Sequence, residues 1–219
     1  MLTPSQRDLS LREGRTLPTH DLTEPDITDL NAYLDEKRGA LKARQARIED
    51  GSLGAQRIAA RVSAEGRSGI RRIRIREFQT ITDSPPDVAG YDLGPSSPEL
   101  QLGVLGSCLT HSFLIQAALL KVPVDTLEVE VAGQIDARAT HPAHKDIPVF
   151  PHDLSYVVHI ASPASSDEID KLGAAVEQNC PILNLLKKPQ LITARIDHQR
   201  SGSGAPSFSR SREKVHVLE

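Results

Sequence analysis

Tryptophan is missing from the chain, and phenylalanine and tyrosine are so few that aromatic residues make up only 3% of it. A core must therefore be built mainly from leucine, isoleucine, valine and alanine. Cysteine is almost missing too: two residues cannot make the disulfide framework of a small secreted protein. Such a pair fits a reducing compartment, where it is more often catalytic or redox-active than structural. Charge of either sign is not in surplus, because the formal net charge is −3. That removes the electrostatic case for nucleic acid or for an anionic membrane surface. The opening "MLTPSQRDLSLREGRTLPTHDLTEP" lacks an apolar core and is broken by acids and prolines. It does not read as a signal peptide, and the expected location is cytoplasmic. No repeat, dinucleotide fingerprint or glycine-rich phosphate loop is evident. "GPSSPEL" has neither the glycine nor the lysine spacing such a loop needs.

What remains is a chain of 219 residues, 38% hydrophobic and 25% charged. These values describe a soluble globular protein of one domain with appendages or a tight pair of domains. The only long uncharged run is 100–120. It holds Gln101, Ser107, Cys108, Thr110, His111, Ser112 and Gln116, too many polar groups for an easy membrane span. A helix buried inside a protein is the better reading.

Residues 1–54 read as a polar N-terminal arm followed by a helix over roughly 26–50. Acids lead that helix and bases trail it, as the macrodipole prefers. Its apolar stripe of Ile27, Leu30, Leu34, Leu41 and Ile48 is thin. The body spans 55–198. "QRIAARVSAEGRSG" and "IRRIRIREFQTITD" alternate with the period of half-buried strands. Ser96 and Glu99 then form a capping box, with Pro98 in the first turn, for a helix running to about Leu120. "DTLEVEVAGQIDAR" and "DLSYVVHIAS" read as two more strands around a loop at 139–152. A second capping box, Ser165 to Glu168, starts a helix that Pro181 ends. Pro181 also suits the first turn of a new helix, "ILNLLKK", before a last strand, "QLITARID". The tail at 199–219 is rich in Gly and Ser and reads as flexible up to Val215–Leu218, where order is expected to return. Strands grouped in runs argue an α+β fold with an antiparallel β-sheet and a long buried central helix. That helix is apolar on nearly every side, so a homodimer pairing two of them would bury the remainder.

Two readings compete for Cys108. Free cysteine is often simply buried. However, Cys180 precedes Pro181 at a helix N-cap, where free N–H groups and the dipole favour a thiolate. Such an N-cap and a central helix can be brought within disulfide reach. His111, one turn from Cys108, would suit a thiol hydrolase, but nothing marks an oxyanion hole or an orienting acid. A histidine satisfied within an interface is the simpler reading. His141, His144 and His152, with Asp146 and Asp153, sit in one loop but match no established metal-ligand spacing, so no metal is expected.

"GPSSPELQLGVLGSCLTHS", followed about seventy residues later by "NCPILNLLKKP", resembles the OsmC/Ohr family of thiol-dependent peroxidases, in a divergent OsmC-like branch. The likeness covers roughly 55–198. It implies an intertwined homodimer with active sites at the interface, and reduction of organic hydroperoxides. Cys108 would attack the peroxide and become a sulfenic acid. Cys180 would condense with it to a disulfide, and an external dithiol would reduce that disulfide without any cofactor.

The resemblance also implies a cation beside the thiolate: an arginine from an early strand region, held by a glutamate on the central helix. Arg67 in "SAEGRSG" is the best match, with Arg72, Arg74 and Arg76 as alternatives that an exposed strand face explains equally well. The family's glutamate lies ten positions before the cysteine, where this chain has Pro98. Glu99 comes one position later, about 100° round the helix. That departure keeps a second reading open, a non-catalytic protein holding a hydrophobic ligand at the dimer interface.

Overall fold

A computed structural model describes residues 29–66, 68–198 and 216–218. The polar arm expected over 1–25, Arg67 and most of the tail lie outside the described residues.

Helix α1 spans Leu30–Glu49. The Asp29 carboxylate caps it, accepting from the Asn31 and Ala32 N–H groups at 2.9 and 3.3 Å, which satisfies donors that have no partner inside the helix. Of its expected stripe, Leu34 is buried and Leu30 and Leu41 are partly so, whereas Ile48 is exposed. Three polar ties fix α1 to its own chain, one of them from Asn31 Nδ2 to the Asp125 carboxylate at 3.2 Å. The Asn31 side chain accepts from Val124 N–H at 2.8 Å, and Arg38 Nε donates to the Ala118 carbonyl at 2.8 Å.

Strands β1 (Arg61–Ala64), β2 (Arg71–Ile75) and β3 (Phe78–Thr82) form a three-stranded sheet. The alternating stretch 70–83, expected as one strand, is in fact a hairpin. The chain reverses at Arg76 and Glu77, with Ile75 paired to Phe78. Arg76 takes φ 53° to make the turn, a left-handed conformation usually given to glycine, asparagine or aspartate. Register places Val62, Ile73, Ile75, Thr80 and Phe78 on one face. Arg72, Arg74 and Ile81 lie on the other. Among the described residues nothing covers the apolar face: Val62 and Phe78 remain 57% and 56% exposed.

Helix α2, Ser97–Leu120, follows with the expected capping box: Ser96 Oγ accepts from Glu99 N–H, and Glu99 accepts from Ser96 N–H at 2.7 Å. Lys121 closes it at φ 59°, ahead of Pro123. Strands β4 (Thr126–Gln134) and β5 (His152–Ala161) pair antiparallel beneath it. The inner face of that hairpin carries Leu127, Val129, Val131, Tyr156, Val158 and Ile160. Gly106 lets α2 lie close, since a Cβ there would stand 3.2 Å from Val131 Cγ2. Helices α3 (Ser166–Asn179) and α4 (Pro181–Lys187) complete the body, and α3 opens on the expected Ser165–Glu168 capping box. Strand β6 (Ile192–Ala194) pairs with β7 (His216–Leu218).

The architecture is α+β with antiparallel sheets. The core gathers Leu105, Leu109 and Phe113 of α2, Leu172 and Val176 of α3, and Leu183 of α4. By length and composition α2 is apolar enough to cross a membrane, yet α1, α3, α4 and β4 pack around it. Only 33% of its most apolar stretch is buried within the chain.

Candidate active site

Cys108 lies near the middle of α2, and Cys180 occupies the break between α3 and α4. Pro181 makes that break. It has no N–H to continue α3, but its fixed φ suits the first turn of α4. The Asn184 side chain, one turn on, donates to the carbonyls of Cys180, Glu177 and Gln178 at 2.9, 3.1 and 3.3 Å. These are carbonyls at the end of α3 that helix bonding leaves short of donors. The bend therefore has a defined shape, and it aims the Cys180 sulfur at α2. The two sulfurs are 3.5 Å apart, across 72 residues of sequence. Both are free thiols; Cys180 is fully buried and Cys108 half-buried. A disulfide bond is about 2.05 Å long, so closure requires an approach of roughly 1.5 Å.

Burial pushes the Cys108 thiol above its ordinary value, and the Cys180 sulfur beside it pushes the same way. The Ile182 backbone N–H and the Ser112 side chain act in the opposite sense. Burial prevails because no described cation acts on this sulfur. Cys108 opens onto an apolar hollow of about 690 Å³, shared with Leu100, Val104, Ser107, His111 and Ile182. Burial, and then the charge of Lys37, keep His111 below the usual histidine range. Neutral imidazole is therefore its form at physiological pH.

The other expected site residues stand apart. Glu99 is exposed and held in its capping box, and its bonds to the Ser96 hydroxyl and N–H lower its carboxyl. It lies nine positions before Cys108, about 180° round the helix. There it lines a different hollow, with Leu102, Gly106 and Val131. The structure thus does not bring Glu99 to Cys108 within the chain. Arg67 lies outside the described residues. Its alternatives are engaged on their own sheet: Arg72 with Glu65, Arg74 with Glu65 and Ser63, and Arg76 over the Phe78 ring at 4.9 Å. His152 bonds Asp153, but no three metal-ligating side chains converge among the described residues.

Three contributors escaped the sequence reading. Ser112 sits one turn after Cys108, a spacing that α-helical periodicity alone makes visible. Asn184 bears the same relation to Cys180, but its role appears only once the bend is known. Tyr156 reaches across from β5 to Glu177 at 3.0 Å, and burial, Glu177 and the Cys180 sulfur together raise its phenol.

A half-open thiol on a central helix, a second thiol at a proline-made bend, and an apolar hollow beside them define a two-thiol α+β protein. Residues 90–195 match the family model described as OsmC-like protein. The match begins after β3, later than the 55–198 over which resemblance was expected. The OsmC like protein from Mycoplasma pneumoniae has the same fold: TM-score 0.53 at 20% identity, over 61% of this chain and 89% of that one. An organic hydroperoxide resistance protein OsmC from Legionella pneumophila aligns with TM-score 0.45 and 13% identity, over 62% and 92% of the two chains. No curated protein sequence matches.

Proposed function

We propose that the protein is a cytoplasmic thiol-dependent peroxidase that reduces organic hydroperoxides. One observation carries this reading: the 3.5 Å separation of the Cys108 and Cys180 sulfurs beside an apolar hollow. Cys108 is the attacking sulfur, because it faces the hollow while Cys180 is sealed. Its thiolate attacks the terminal peroxide oxygen, the O–O bond breaks, and the alkoxide leaves and takes a proton to become an alcohol. Cys108 is thereby oxidised to a sulfenic acid. Attack by the Cys180 sulfur forms the disulfide and expels the sulfenic oxygen as water. An external dithiol returns both thiols and is itself oxidised to a disulfide. The balance is one hydroperoxide and one dithiol to one alcohol, one water and one disulfide. No cofactor is required.

The working unit of this reading is a homodimer. Its support is the uncovered apolar surface of α2 and of the β1–β3 sheet. A partner chain would shield the thiol hollow from water, and its apolar lining favours fatty or aromatic hydroperoxides over hydrogen peroxide.

Replacing Cys108 with serine and following hydroperoxide loss with a dithiol donor tests the reading. Turnover should vanish, and undiminished turnover would sink it. The raised Cys108 thiol, with no described cation beside it, favours the second reading, a binding protein for an apolar ligand. Thiol counting after titration with a hydroperoxide separates the two. A peroxidase loses both free thiols for each equivalent consumed, and a binder keeps them.

A further inference from the structure

Outside the thiol site, a groove of about 900 Å³ runs between the C-terminal half of α1 and the last turns of α2. Ligand pockets commonly have volumes of roughly 300–1,000 Å³. Leu41 and Ile48 from α1, with Ile115 and Leu119 from α2, give it aliphatic walls. Ile48 and Leu119 are about half exposed, so the described residues do not fill the space. Lys42, Arg44 and Lys121 stand along its margin, and no carboxylate among the described residues lines it. Arg38 is committed elsewhere, to the Ala118 carbonyl and Asp35. Among the described residues Lys42, Arg44 and Lys121 form no ion pair.

We infer that this groove binds a single-chain anionic amphiphile, a medium-to-long acyl chain ending in a carboxylate. The chemistry of the walls selects that class. Both walls are helices, whose backbone groups are already bonded internally, so nothing there pairs with an extended peptide. What they offer is methylene contact along their length and positive charge at the edge. From Leu41 to Ile48 the helix rises about 10 Å, the reach of a medium acyl chain. Lysine and arginine suit the head group, since their stems lie on apolar surface while their charges stay in water. The α1 wall precedes the family match at 90–195, and the α2 wall lies inside it. The site stands independently of the peroxidase reading.

Titration of the full chain with dodecanoate, below its micelle-forming concentration, provides the test, read by calorimetry. Saturable binding is expected, weakening as salt screens the head group. Octanoate should bind at least tenfold more weakly, because four buried methylenes are lost. The triple variant Lys42→Gln, Arg44→Gln, Lys121→Gln should lose about tenfold in affinity. Lys42→Arg with Lys121→Arg should retain it, and an unchanged melting temperature shows that each variant is folded. Dodecanol binding as tightly as dodecanoate, a folded triple variant that binds undiminished, or no binding at all would overturn the inference. So would loss of binding in Cys108→Ser, which would place the ligand in the thiol hollow instead.

Discussion

The side-chain amide of Asn184 donates to the backbone carbonyl of Cys180 at 2.9 Å, and that bond ties the bend holding one thiol to the helix that follows it. Two further carbonyls, of Glu177 and Gln178, share the same amide. Asn184→Ala should cost about 1 kcal/mol of stability, the usual net worth of such bonding. Its sharper effect should be on the thiols. Once the bend loosens, the Cys108–Cys180 disulfide should form more slowly with a mild oxidant, at unchanged alkylation of Cys108. Thiol trapping followed by mass measurement reads both, and an unaltered closing rate would show that the bend holds its shape without Asn184.

The pH dependence of Cys108 follows from its surroundings. Burial, reinforced by Cys180, holds this thiol above the ordinary 9.0, so the folded protein keeps the proton more tightly than the unfolded chain does. The stability this contributes is present below pH 9 and declines as pH rises through the higher folded value. Cys108→Ser removes the group, so the stability difference between wild type and variant should shift against wild type only in alkaline solution. Iodoacetamide labelling of Cys108 should likewise be slow at neutral pH and climb steeply above pH 9. Fast labelling at pH 7 would reveal a cation acting on the sulfur.

Much of this arrangement was legible in the sequence because it is local. Both capping boxes, the run 100–120 as a core helix, and the break at Pro181 depend on residues within a turn of one another. The opposition of Glu99 and Cys108 was legible too, since nine steps of 100° leave two residues on opposite sides of a helix. The hairpin at Arg76 was hidden because arginine stands where a turn of that kind ordinarily shows glycine. The approach of Cys108 to Cys180 spans 72 residues, and no periodicity reports a contact of that range. The residues allowed it, and the resemblance to a family implied it.

Asp83 explains how the loop leading into α2 keeps its course. The residue is fully buried, and Oδ2 accepts from the Tyr91 and Leu93 N–H groups at 3.0 and 3.2 Å. Burial alone would raise its carboxyl. The backbone N–H groups of Ser84, Leu93 and Tyr91, with the charge of Arg71, outweigh burial and lower it. Stability from this group is therefore present above the ordinary carboxylate value of 3.8 and lost as pH falls through the lower folded one. Asp83→Asn retains an oxygen acceptor and should keep the loop while flattening that part of the acid transition. Asp83→Ala should release the loop, seen as faster hydrogen exchange at Tyr91 and Leu93. Slow exchange in the alanine variant would assign the loop's order to other contacts.

Phe78 offers the most direct approach to the proposed assembly. It shares one sheet face with Val62, Ile73 and Ile75, and that face meets no other element extensively among the described residues. An apolar face of this kind exposed on a soluble monomer is an aggregation hazard, and burying it against a second copy removes the hazard. Phe78→Glu should therefore shift the chain from dimer towards monomer in sedimentation velocity. Lys42→Gln, on the α1 groove, should leave the dimer intact. Because Phe78 is exposed within its own chain, the substitution should leave the monomer's fold unharmed, as circular dichroism would confirm. A wild-type chain that sediments as a monomer at all concentrations would rule out the dimer, and an undisturbed dimer in Phe78→Glu would move its interface elsewhere.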